Sequence, residues 1–334
     1  MSPRRRVLTS CLGAAVVGLA PGCDKSKAPE PAPPASTTPS PPAPRSAGSL
    51  AVSKPAPDRV VAIGDLHGDL DATRRALRLA GAIDDKDAWV GGKLVVVQTG
   101  DLIDRGDDDR KVLDLFERLK TDAAKAGGEV VALVGNHEIM NGELDFRYVT
   151  RGAFSEFADV NPKDEGIARA ASAVEAPARG RAAAFLPGGP YAQILARRPV
   201  VARVGDSIFV HGGVLPKHVR AGLDGLNEGT RRWLLGETRT PPKEITSEDG
   251  PLWTRTYSSA PGPSECATLD EALKALNAKR MVMGHTPQKP DISSACDEKA
   301  WRIDVGMSKY YAGNVEVLAL RGDAVKVLKE GPAR

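Results

Sequence analysis

Aromatic residues make up only 4% of this 334-residue chain, and histidine occurs five times. With so few rings, any core must be packed from Val, Leu, Ile and Ala. Excess charge is missing too. Lys and Arg number 46 against 43 Asp and Glu, a formal balance of +3, and the body of the chain has no run of basic residues. That excludes the electrostatic footprint of a nucleic-acid-binding protein. Cysteine is sparse: Cys11 and Cys23 lie near the start, and Cys266 and Cys296 far down the chain. The latter two have no metal-binding spacing. In an oxidising compartment they can form a bridge, and elsewhere they stay two thiols; spacing alone leaves both open.

What is present begins with a leader. Arg4, Arg5 and Arg6 precede an apolar run from Val7 to Leu19, too short to span a bilayer and characteristic of an export signal. The arginines resemble a twin-arginine signal. Leu19-Ala20-Pro21-Gly22-Cys23 resembles a bacterial lipobox, with Ala20 and Pro21 as departures and Cys23 as the residue to be lipidated. A plain secretory signal with an incidental cysteine is the alternative. Both readings expect an exported protein, periplasmic or in the cell envelope; in the lipobox reading it touches a membrane only through an anchor at Cys23. Asp24 to Pro57 then carries ten prolines and almost no large apolar residue, so an extended tether is expected. The expected organisation is a signal over 1–23, a tether over 24–57 and a folded domain over 58–330.

Within that domain, apolar runs at Arg59–Ile63, Leu94–Val97 and Glu129–Val134 read as buried strands. Helical spacing separates them over Asp69–Ala80 and Arg110–Ala126. This alternation predicts an α/β fold with a partly parallel sheet. Residues 140–200 are Ala- and Arg-rich, with a helical stretch at about 164–185, and form either a cap-like insertion or a packing layer. Further strands are expected at Val200–Val204, Ser207–Val210, Arg280–Met283, Trp301–Val305, Val315–Leu320 and Ala324–Leu328. The simplest arrangement is one sheet per half, packed together with helices outside.

The strands end in a recurring chemistry. Gly64-Asp65-Leu66-His67-Gly68-Asp69, Gly100-Asp101-Leu102-Ile103-Asp104-Arg105-Gly106 and Gly135-Asn136-His137-Glu138 each follow an apolar run. His211-Gly212-Gly213 and Gly284-His285-Thr286 do the same in the second half. Any one of these could cap a helix or fix a turn. Turn chemistry does not require Asp, Asn and His to recur together at strand ends, where α/β proteins bind ligands, so the five motifs point to a dinuclear metal site. His218 lacks such a context and reads as an ordinary surface or helix residue.

The extended motifs, together with Gly284-His285-Thr286-Pro287-Gln288 and Asp304-Val305-Gly306-Met307-Ser308, resemble the phosphoprotein phosphatase family of metallophosphoesterases, in its Shewanella-like branch. The likeness runs over about residues 59–320. The chain departs from the eukaryotic Ser/Thr enzymes at Val134, where those carry Arg. The resemblance implies a calcineurin-like α/β fold with two packed mixed sheets, its catalytic domain spanning 58–330. It implies one metal ion on Asp65, His67 and Asp101, and a second on Asp101, Asn136, His211 and His285. Such mixed N/O donors suit Mn first, then Fe or Zn. It further implies attack on a phosphomonoester by a hydroxide shared between the ions. His137 is the expected general acid, Asp104 its partner, and Arg105, Arg255 and Asn136 the phosphate binders. A surface ion pair is the alternative for Arg255. Tyr310 and Tyr311 are expected near the mouth of the site or in packing. Phosphotyrosine or phosphoserine/threonine is the expected substrate. A symmetrical dinucleoside tetraphosphate hydrolase, a periplasmic small-molecule phosphomonoesterase and an inactive binding domain are the alternatives.

Overall fold

The computed structural model describes residues 53–331. The expected export signal and residues 24–52 of the expected tether lie outside the described residues. In chain order the first half comprises β1 (Ser53–Lys54), β2 (Val60–Ile63), α1 (Leu70–Leu79), β3 (Val95–Gln98), α2 (Asp109–Lys125) and β4 (Glu129–Ala132). Five helices follow: α3 (Asn136–Gly142), α4 (Arg151–Ser155), α5 (Glu165–Ser172), α6 (Arg179–Phe185) and α7 (Pro190–Leu195). Next come β5 (Val201–Val204), β6 (Ser207–Val210), α8 (Pro216–Ala221), α9 (Leu223–Leu234), α10 (Lys243–Thr246) and α11 (Pro263–Leu276). The chain finishes with β7 (Arg280–Met283), β8 (Ser293–Ala295), β9 (Ala300–Arg302), β10 (Glu316–Arg321) and β11 (Ala324–Lys329). No described helix is long and apolar enough to cross a membrane.

β2, β3 and β4 run parallel, as their apolar composition dictates for strands covered on both faces. α1 starts where the Asp69 carboxylate accepts from the Ala72 amide at 3.0 Å, and it turns Ala72, Thr73, Ala76 and Leu77 inward. β6, β7 and β9 are parallel in the other sheet. Apolar residues of both sheets form one continuous core. The carboxyl ends of β2, β3, β4, β6 and β7 therefore deliver all five motif loops.

Two expectations need correction. The sheets do not divide by halves. Their orders are β11-β10-β2-β3-β4 and β1-β5-β6-β7-β9-β8, so the C-terminal hairpin completes the N-terminal sheet. Val317, Leu318 and Leu320 of β10 are buried there beside β2, and burial of that apolar face decides the pairing. Ser53 and Lys54, which fall within the span expected to be tether, instead pair in parallel with Arg203 and Val204. Pro55 favours this, since a residue preceding proline is pushed to extended backbone. His218, expected at the surface or in a helix, is a helix residue. It is buried in α8, where its Nδ1 accepts from the Leu215 amide at 3.0 Å.

Cys266 on α11 and Cys296 between β8 and β9 are joined in a disulfide, 30 residues apart in sequence. Closing a loop of that length restricts the unfolded chain by about 3–4 kcal/mol. The paired replacement Cys266→Ser with Cys296→Ser is expected to lower the melting temperature by roughly 10 °C and to leave activity at 25 °C nearly unchanged. Calorimetry with a parallel assay checks this.

Candidate active site

The motif loops use backbone geometry that most residues avoid. His67, Asp101, Asp104, Arg105 and His285 all have positive φ, between 48° and 70°, which costs about 1–3 kcal/mol each unless the surroundings enforce it. They do. The His67 amide donates to the Asp101 carbonyl at 3.0 Å, and the Asp104 amide to Asp109 Oδ1 at 2.9 Å. The Arg105 amide donates to the Tyr148 carbonyl at 2.9 Å, and the His285 amide to Asp65 Oδ2 at 3.1 Å. Gly135 and Gly284 must be glycine for a different reason: a Cβ would run into the Asp101 and Asp65 carboxylates respectively.

Asp65, His67, Asp101, Asn136, His211 and His285 all converge in the interior, none more than 7% exposed. Asp101 is the shared vertex. Its Oδ2 lies 3.2 Å from His211 Nε2 and 3.9 Å from His67 Nε2. Asn136 Oδ1 is 2.8 Å from the same His211 nitrogen, and His285 Nδ1 is 3.2 Å from it.

The chemistry of these donors fits a metal pair. His211 Nδ1 donates to the Thr99 carbonyl at 2.9 Å, His67 Nδ1 to the Ile103 carbonyl at 3.2 Å, and His285 Nε2 to the Trp253 carbonyl at 3.0 Å. Each ring thus donates to the main chain through one nitrogen and turns the other inward, the usual outer-shell arrangement of ligating histidines. Burial pushes His67 down to about 3 and holds His285 far below its ordinary value, so both are neutral. Lone pairs facing one another at 3.2 Å are repulsive without a cation between them. Asp65 needs one too: burial, then Asp304 and Asp101, raise it well above the usual range.

His137 differs from the three ligand histidines. Its Nδ1 donates to the Asp104 carboxylate at 2.7 Å rather than to a carbonyl. Burial works against its charge, yet Asp101 and Asp104 prevail and raise its pKa. Its Nε2 faces the centre, 3.7 Å from Asp101 Oδ2 and 3.4 Å from Arg105 Nη2. The Arg105 guanidinium stacks 4.5 Å over Tyr148, 5.0 Å over Tyr310 and 5.1 Å over Tyr311. Arg255 makes no ion pair among the described residues; it donates to the His285 carbonyl at 2.7 Å and Thr286 Oγ1 at 2.8 Å. All the sequence-expected site residues are thereby gathered around one centre.

Several residues at the site have no role assigned from the sequence. Glu138 accepts from the Gly135, Asp101 and Leu102 amides at 2.7, 3.0 and 2.9 Å, tying two motif loops together. Its place three residues after Gly135 is a capping signal. Asp304 abuts Asp65, and burial raises it to about 6. Tyr148 covers Arg105. Arg181, alone in an Ala-rich stretch, has no sequence signal at all, yet it reaches Asp104 at 2.8 Å.

The model of the calcineurin-like phosphoesterases matches residues 58–289. Shewanella-like protein phosphatase 2 of Arabidopsis thaliana is 43% identical over 307 residues, covering 83% of this chain and 78% of that protein. The chain belongs to this family. Among the Shewanella-like phosphatases it is also 31% identical to Shewanella-like protein phosphatase 1 of Plasmodium berghei, over 75% of this chain and 68% of the other. Its fold matches that of the cold-active protein-tyrosine phosphatase of a psychrophilic Shewanella species, with a TM-score of 0.66, 24% identity, and 85% and 84% of the two chains covered.

Proposed function

We propose that this Shewanella-like phosphatase is an exported, manganese-dependent enzyme that hydrolyses phosphotyrosine in proteins. The observation that carries the reaction is the His137–Asp104 pair at 2.7 Å, aimed at a buried two-centre ligand set and flanked by Arg105. Asp65, His67 and Asp101 would hold one ion, and Asp101, Asn136, His211 and His285 the other. The bound pair supplies Lewis-acid charge to the phosphoryl group and lowers the pKa of water towards neutrality.

This chain's own groups do the rest. Arg105 and Arg255 grip the phosphoryl oxygens with planar forks, assisted by the Asn136 amide. Asp104 fixes the His137 ring so that the Nε2 proton faces the departing oxygen. Among the described residues three large apolar or aromatic side chains are exposed, and two of them, Tyr148 and Tyr310, flank Arg105. An aryl phosphate can pack between such rings while its phosphate meets the arginine. That supports tyrosine over serine or threonine.

Export rests on the leader sequence, the lipobox-like Cys23 and the Cys266–Cys296 bridge, since disulfides persist in oxidising compartments. Fractionation of cells producing the full chain tests it; recovery with cytoplasmic markers would remove this part of the reading.

The reaction is tested with full chain purified in detergent, stripped by chelator and resupplied with Mn²⁺, Fe²⁺ or Zn²⁺. Activity on a phosphotyrosine peptide should vanish on stripping and return best with Mn²⁺. His137→Ala should lower kcat on that peptide on the order of 10²-fold or more. Turnover of diadenosine tetraphosphate alone, or of small phosphomonoesters but no phosphopeptide, would sink the proposal.

A further inference from the structure

Arg181 lies on α6, in the stretch that the sequence leaves undecided between a cap and a packing layer. It is fully buried, more than 70 residues in sequence from the carboxylate it holds, Asp104. Its Nη2 donates to Asp104 Oδ1 at 2.8 Å and forms an ion pair with Asp109, 2.7 Å from Oδ2. Its Nε donates to Asn141 Oδ1 at 2.7 Å, and its guanidinium stacks 5.2 Å from Phe157 and 5.0 Å from Phe185. Rings and bonds together leave the planar fork one orientation.

We propose that Arg181 is a positioning residue for proton delivery: it fixes the Asp104 carboxylate so that Asp104 in turn fixes His137. Asp104 has two oxygens with divided duties. Oδ2 receives His137 Nδ1, and Oδ1 receives Arg181. Asn141 Nδ2 bridges the pair, donating to both Asp104 oxygens at 3.0 and 3.2 Å and to the His137 carbonyl at 2.9 Å. Asp109, which Arg181 also grips, accepts the Asp104 amide through its other oxygen. Asp104 sits at φ +69°, a conformation its own backbone does not favour. Both the side chain and the main chain of Asp104 are therefore held through contacts that Arg181 organises. An imidazole aimed by a carboxylate that can swing loses the geometry proton transfer needs. Lys could neutralise one carboxylate here but could not span both and Asn141.

The inference rests on His137 acting as the acid, so the test separates the two. Full-length Arg181→Lys and Arg181→Met, His137→Ala and the double variants are assayed on two substrates. One is a phosphotyrosine peptide, whose leaving oxygen has a pKa near 10 and needs a proton. The other is 4-nitrophenyl phosphate, whose stabilised phenolate departs without one. Arg181→Lys should lower kcat on the peptide about tenfold or more while KM stays within roughly twofold, and should change 4-nitrophenyl phosphate turnover less than about threefold. In the His137→Ala background the same change should have almost no further effect, as for residues acting as one unit.

Equal losses on both substrates, losses that multiply with His137→Ala, or no loss would overturn the inference. So would failure of both Arg181 variants to fold, since the role would then be structural. If His137→Ala itself affects both substrates equally, the acid reading fails and takes this inference with it. If His137→Ala discriminates between them and the Arg181 variants do not, only this inference fails.

Discussion

Asp101→Asn will cost the enzyme at least about 10³-fold in turnover. The Asp101 carboxylate reaches both halves of the ligand set, its Oδ2 lying 3.2 Å from His211 Nε2 and 3.9 Å from His67 Nε2. Asn keeps its shape and removes its charge. Losing several kcal/mol of charge stabilisation converts at 1.36 kcal/mol per tenfold in rate to that figure. Bound metal, measured by elemental analysis, should fall in parallel. A variant that stays active and fully loaded would show that Asp101 does not bridge the site.

The second large effect is on stability. Glu138→Ala leaves the amides of Gly135, Asp101 and Leu102 without a partner in a fully buried environment, at about 1–3 kcal/mol each. Glu138 is itself disfavoured by burial and by Asp101, which offsets part of that loss. A net destabilisation of about 3–5 kcal/mol remains, or a melting temperature lower by roughly 10–15 °C. Glu138→Gln, which retains an acceptor, should fall between the two. Thermal unfolding of the metal-loaded proteins decides it. A Glu138→Ala protein as stable as the parent would mean the two loops hold their shape unaided.

The centre was legible in the sequence because each ligand directly follows a run that can only be a buried strand. Val60–Ile63 and Val95–Val97 are apolar enough to fix strand type and direction, and glycine then marks where the chain leaves the sheet. Asp65, Asp101 and Asn136 inherit their places from that pattern. What stayed hidden depends on contacts between distant segments. Nothing in Glu316–Arg321 says that it pairs with β2 rather than with a neighbour in sequence, and only the shared core settles it. Ser53 and Lys54 carry no strand pattern in two residues; the free edge of β5 selects them. Arg181 looks like any helix-surface arginine, and its burial becomes visible only once Phe157, Phe185 and two aspartates surround it.

The hydrogen bond from the His285 amide to Asp65 joins residues 220 positions apart. The ribosome adds about 5–20 residues per second, so roughly 10–45 s separate the synthesis of these two ends of the centre. Through that interval the chain holds only part of its ligand set. A product ending before residue 285 lacks both the His285 ring and the amide that holds Asp65, so the order of the gene works as a timer on hydrolytic competence.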